Sequence, residues 1–217
     1  MIYVTGDMHG DVSRLNAKLK KDDTLIICGD FGFIWTGKRS ENTILKKIGN
    51  LKFNVAFVDG CHENFDLLEG YPVDEWNGGK VRVISKKLVH LMRGEIYTIE
   101  EKTFFTFGGG SSNDYDMRID ANTWYKREQP TSSEIKYGSD KLLEHNNKVD
   151  YIITHEPPQT LKNCLNIDTN QQLEINAFFD NIIKTCTFKN WFFGKTHINK
   201  RIPPHFYSLF DEMVKIT

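Results

Sequence analysis

No apolar run in this 217-residue chain is long. The best, "TLIICG" and "NVAFVDG", stop after a few residues, where a bilayer-spanning helix needs about 20. A membrane-spanning protein is not expected. The start, "MIYVTGDMHG", has no basic segment and no apolar core of a leader. No secretory signal is read there, and the cytoplasm is the expected compartment. Cysteine is scarce and scattered: Cys28, Cys61, Cys164 and Cys186 form no CxxC pair. That spacing speaks against a disulfide scaffold and for a reducing compartment. Charge of either sign is not in excess, with 28 basic and 29 acidic residues for a net −1. No dominant pull toward nucleic acid or anionic lipid follows. A local basic patch, and with it nucleic acid, stays open. No stretch rich in Pro, Gly or Ser divides the chain, so one domain spanning 1–217 is expected.

What is present is an ordinary globular composition, 39% hydrophobic and 12% aromatic, on a chain long enough for a sizeable α/β core. One pattern recurs. A short β-branched or aromatic run stops, a small residue follows, and then come Asp, His or both. It appears as "IYVTGDMHGD", "TLIICGDFG", "NVAFVDGCHEN", "DYIITHEPP" and "NWFFGKTH". Continuous apolar runs of this length predict strands buried on both faces. Segments 12–20, 41–51, 64–69, 132–146 and 171–184 read as helices. Strands alternating with helices predict an α/β fold.

The middle reads differently. "KVRVI", "KLVHLMR", "EIYTI" and "TFFTF" follow one another with short turns. The last two, joined by "EEK", predict a hairpin, and so does the C-terminal "HFYSLFDEMVKI". A mixed sheet, or two packed sheets, is expected. "GGGSSNDYD" reads as a flexible loop. Residues 108–147 read either as an insert bordering a site or as a plain surface excursion.

In open α/β sheets, ligands bind beyond the carboxyl ends of strands, and every one of these polar clusters stands at such an end. Asp7 and His9 are two residues apart. In an extended segment their side chains share a face and can grip one cation. Asp30 follows Gly29 in the same manner, and His62, His155 and His197 complete the set. Carboxylates with imidazoles make a mixed oxygen and nitrogen site, which suits Mn, Fe or Zn better than Ca. His90, His145 and His205 lie outside these clusters and read as ordinary core or surface residues.

The series "GDMHGD", "GDFG", "GCHEN", "THEPP" and "GKTH" resembles the calcineurin-like metallophosphoesterase superfamily. The pattern there is D-x-H, G-D, G-N-H-E/D, H and G-H-x-H, and the match runs from Asp7 to His197. The resemblance implies a four-layer αββα sandwich of two mixed β-sheets flanked by helices. It also implies one or two divalent ions, Mn, Fe or Zn. Asp7, His9, Asp30 and His197 would hold the first ion. Asp30 would bridge to a second, with His155 as another ligand. His62 would contact the substrate phosphate and protonate the leaving oxygen. Glu63 would either orient His62 or be a first-turn helix acid. The implied activity is hydrolysis of phosphate mono- or diesters by a metal-activated water.

Two positions depart from that pattern, and both belong to the second ion. Cys61 stands where the family has asparagine, and Lys195 where it has the first histidine of G-H-x-H. An ammonium offers no acceptor and cannot coordinate. A cysteine thiolate binds zinc well, whereas a thiol is a small apolar filler. Four readings stay open. In the leading one the enzyme uses a single ion, and Lys195 supplies charge beside the phosphate. In others, Cys61 captures a softer second ion, or Lys195 points away and a second ion binds weakly. In the last, the chain is an impaired pseudoenzyme that acts as a binding or regulatory protein. "GDFGFIW" lacks the Asp-Arg-Gly extension of Ser/Thr protein phosphatases. The substrate is a phosphoester, with nucleotides among the candidates. Arg118, Lys126 and Arg127 are candidate phosphate contacts or solubility residues. Trp35, Trp76 and Trp124 are candidate stacking or packing residues. The oligomeric state is left open.

Overall fold

Short β-branched and aromatic runs form the strands, as their pleated, half-buried setting favours. In the computed structural model, which describes residues 1–15, 18–165, 167 and 173–217, these are β1 (Ile2–Thr5), β2 (Thr24–Ile27), β3 (Asn54–Phe57), β4 (Val73–Trp76), β5 (Gly79–Ser85), β6 (Leu88–Leu91) and β7 (Glu95–Ile99). They continue as β8 (Lys102–Phe107), β9 (Tyr151–Thr154), β10 (Asn190–Phe193), β11 (Lys200–Ile202), β12 (Phe206–Ser208) and β13 (Met213–Lys215). The helices are α1 (Arg39–Gly49), α2 (Phe65–Glu69), α3 (Tyr115–Asp120), α4 (Ser132–Glu144), α5 (Gln159–Leu165) and α6 (Glu174–Thr185). Two sheets result, in the orders β13-β1-β2-β3-β6-β5-β4 and β11-β12-β10-β9-β8-β7.

Side-chain alternation stacks these elements into layers. Along β2 and β3, Ile26 and Ala56 point into a core that also holds Phe104, Ile153 and Phe192 of the other sheet. Their neighbours Leu25, Ile27, Val55 and Phe57 point the opposite way, onto Leu45 and Ile48 of α1. In the second sheet, Phe105, Ile152 and Trp191 face outward onto Leu142 of α4 and Phe179 of α6. Three apolar layers between four layers of structure make an αββα sandwich. Both faces of each central strand are buried, which is why these strands read as unbroken apolar runs.

Helix ends follow local chemistry. Thr131 and Glu134 form a reciprocal capping box at the start of α4. The Asn64 side chain accepts from Leu67 N–H at 3.1 Å and starts α2. The predicted hairpin is the antiparallel pair β7–β8, closed by Glu100 and Glu101 at φ 48° and 63°.

The C-terminal segment is not a hairpin. β12 lies parallel to β10 in one sheet, whereas β13 lies antiparallel to β1 in the other. Each half buries its apolar side chains against a different sheet, so the two halves part instead of pairing. Of the predicted helix 12–20, a single 3₁₀ turn at Val12–Leu15 forms, while residues 16 and 17 lie outside the described set. α6 begins at Glu174, and residues 171 and 172 of that prediction also lie outside it. No described helix is long and apolar enough to cross a membrane.

Strand direction positions the site. β1, β2 and β3 are parallel, and so are β9 and β10 in the facing sheet. The loops after these strands therefore leave from the carboxyl edges of both sheets.

Candidate metal centre

Asp7, His9, Asp30 and His197 converge after β1, β2 and β10. A ligand atom from each lies within 4.8 Å of all the others. Two buried carboxylates and two exposed imidazoles form the set, so its solvent side is open. His197 Nε2 lies 3.1 Å from Asp7 Oδ2 and 2.9 Å from His9 Nε2. This donor set fits one divalent ion of the Mn, Fe or Zn kind.

Asp7 and His9 do not meet by strand alternation. β1 ends at Thr5, and His9 has a φ of 47°. Asp30, Lys195 and His197 are also left-handed, at φ 44°, 69° and 52°. A tight turn after each strand aims the side chains inward, at a backbone cost that cross-loop contacts hold in place. Glycines allow the crowding. A Cβ on Gly60 would lie 2.0 Å from Asp30 Oδ1, and one on Gly194 would lie 2.0 Å from Asp7 Oδ1.

Beside this cluster is the altered position. Asp30, Cys61 and His62 also bring ligand atoms within 4.8 Å of one another. His155 is fully buried there, its Nε2 at 3.2 Å from Cys61 Sγ and 3.5 Å from Asp30 Oδ1. Its Nδ1 faces the Cys28 carbonyl at 3.0 Å. The Lys195 ammonium enters the same space. It donates to Cys61 Sγ at 2.8 Å and to the Ser111 carbonyl, and Glu156 Oε2 lies 3.8 Å away. Burial pushes the Cys61 thiol up. Burial works against the Lys195 charge, but Cys61 and Glu156 outweigh it and hold its proton firmly.

Electrostatics keep the carboxylates ionised. Burial pushes the Asp30 carboxyl up, yet His155 and His62 outweigh it and hold it well below the usual range. His62 Nδ1 is 2.7 Å from Asp30 Oδ2, and its Nε2 lies 3.2 Å from both Asp114 oxygens. The hydrogen bond to Asp30 outweighs burial, which works the other way, and raises the His62 pKa.

Sequence reasoning missed three contributors. Asp114 and Ser111 come from a loop whose only signal was "GGGSSNDYD". Glu156 directly follows His155 and was legible as a carboxylate at a strand end. Other expectations change. Glu63 neither orients His62 nor begins α2. It accepts from Phe31 N–H at 2.8 Å, tying the loop after β2 to the loop after β3. Arg118 is no phosphate contact: it is buried, 2.9 Å from Glu128, and donates to the Cys61 carbonyl at 2.8 Å. Arg127 is held by Asp66 and Glu69. Trp76 packs on Tyr97 and Trp124 on Tyr115, while the Trp35 carbonyl accepts from Asn64 at 2.8 Å.

Compared with known proteins, residues 1–199 match the model of one family, described as calcineurin-like phosphoesterase. No curated protein matches the chain.

Proposed function

The chain belongs to the calcineurin-like phosphoesterase family, and from that premise we propose that it hydrolyses phosphate mono- or diesters with a single divalent ion. Asp7, His9, Asp30 and His197 hold that ion, and the Lys195 ammonium takes the neighbouring position. The carrying observation is the 2.8 Å contact between Lys195 Nζ and Cys61 Sγ, which puts a fixed positive charge beside a complete four-residue cluster.

A bound divalent ion supplies a Lewis acid that activates water and polarises the phosphoryl group. The residues of the chain do the rest. Asp7 and Asp30 provide buried negative charge, and the exposed His9 and His197 leave the solvent side accessible. His62, set between Asp30 and Asp114, which favour its protonated form, donates a hydrogen bond to a phosphoryl oxygen and then a proton to the leaving oxygen. Lys195 offsets the charge that builds on the oxygens of the transition state. Glu156 and the Ser111 carbonyl keep its ammonium in place. His155 rests against Asp30 and Cys61 and holds the side on which a second ion would have to bind.

Metal stoichiometry paired with a phosphoester panel tests this. Elemental analysis of chain loaded with Mn, Fe or Zn should give one ion per chain, and the loaded chain should cleave aryl mono- or diesters. If loaded protein cleaves nothing, and His62→Ala matches it in every assay, catalysis is refuted in favour of a binding role. The same panel, extended to nucleotides, identifies the substrate class.

A further inference from the structure

A cleft of about 680 Å³ is lined by none of the four residues of the metal cluster. Its volume is in the range of small-molecule sites. Phe65 and Leu68 of α2, Met92 and Pro130 give it an apolar body. Its polar wall is built around Asp59, which is buried. Asp59 Oδ2 accepts from Arg93 Nε at 2.9 Å and Nη2 at 2.6 Å. Asp59 Oδ1 lies 3.0 Å from His90 Nε2.

A carboxylate is an acceptor, so it fixes a proton on His90 Nε2. The opposite ring atom, Nδ1, is buried and has no hydrogen-bond partner among the described residues. The His90 side chain is only 7% exposed and lines the cleft. Buried polar atoms in native proteins are normally paired, so this nitrogen points to a partner that the cleft admits. The charges at the rim add a second feature. Of the acidic residues lining the cleft, Asp59, Glu69 and Glu134 are paired by Arg93 and Arg127, and Glu174 accepts from Ser132 Oγ at 3.0 Å. Arg82 and Lys126 line the cleft with no carboxylate partner among the described residues; Arg82 uses Nη1 on the Glu69 carbonyl at 2.8 Å, and Lys126 is exposed.

We propose that this cleft is a second binding site, for a small organic anion with a flat apolar body. The body lies against Phe65, Leu68 and Met92. The anionic group meets Lys126 and Arg82 at the rim. A polar atom at the deep end meets His90 Nδ1.

Naphthalene-2-sulfonate is a suitable probe, because it carries the charge and the flat body and no phosphoester. Calorimetric titration into the full chain should show one site. Lys126→Glu, an exposed change, should weaken binding at least fivefold, and Gln129→Trp, which fills the cleft, should abolish it. His197→Ala should leave binding intact, and the His90 ring resonances should shift on titration. His90→Gln should also weaken binding, and circular dichroism checks its folding; if it fails to fold, Lys126→Glu still decides. The proposal is overturned if the probe does not bind. It is equally overturned if Lys126→Glu and Gln129→Trp bind like the parent, or if only His197→Ala loses binding.

Discussion

Lys195 Nζ donates to Cys61 Sγ at 2.8 Å, across 134 residues of sequence. The two departures from the family pattern are therefore one feature. The Lys195 side chain enters a space that could otherwise accept a cation, and Cys61 is its neighbour there. Changing either alone leaves a mismatched partner.

Cys61→Asn with Lys195→His should restore a second ion. The expected stoichiometry rises from one to two ions per chain by elemental analysis, and turnover rises with it. A double variant that still binds one ion, or binds two and turns over more slowly, would count against the substitution of charge for metal.

The metal cluster depends on backbone approach as much as on ligands. Gly194→Ala places a Cβ 2.0 Å from Asp7 Oδ1, so it should displace that carboxylate without removing any ligand. Metal affinity should fall by about 100-fold or more, the upper end for lost supporting contacts. Competition with a coloured chelator would measure it, and unchanged affinity would show that Asp7 is not needed for binding.

Glu63 should make stability fall with rising pH. Burial, then the nearby Asp30 charge, pushes its carboxyl up to about 8. Between the ordinary carboxylate value and that figure the folded chain holds a proton that the unfolded chain has lost. The contribution is complete below about pH 4.3 and fades as pH rises through the folded value. Glu63→Gln cannot ionise. Its melting temperature should match wild type near pH 5 and exceed it at about pH 9. A gap that does not widen with pH would contradict the shift.

Asp59 behaves in the opposite sense. Burial pushes it up, but Arg93 and His90 outweigh burial and hold it well below the carboxylate range. Its stabilising charge is present above the unfolded value of about 3.9 and is lost as pH falls further. Arg93→Met leaves a buried carboxylate without its main partner and should cost about 3–5 kcal/mol near neutrality. Urea denaturation should show that this penalty shrinks in acid, where Asp59 takes up a proton.

Much of the site was legible because its residue types are chemically constrained and sit at recognisable places. Asp7, His9, Asp30, His62, His155 and His197 each follow an apolar run, and parallel strands carry those run ends to one edge. The β7–β8 hairpin was legible because its turn is local. The C-terminal pairing was not. Phe206–Ser208 and Met213–Lys215 are separated by only a short loop, yet each finds a partner strand far away in sequence.

The sequence by itself determined an α/β fold with a mixed sheet or two packed sheets and placed Asp and His residues at strand ends, because unbroken apolar strands leave few alternatives; the αββα sandwich and the ligand roles were implied by its resemblance to the family. It also marked Cys61 and Lys195 as departures. Only the tertiary structure decided that they touch, that Asp114 reaches His62, and that Arg118 is buried instead of facing a substrate. Those outcomes depend on where loops from separate strands meet. Left-handed turns at His9, Asp30, Lys195 and His197 set that meeting point, and cross-loop contacts, not local residue preference, hold such turns.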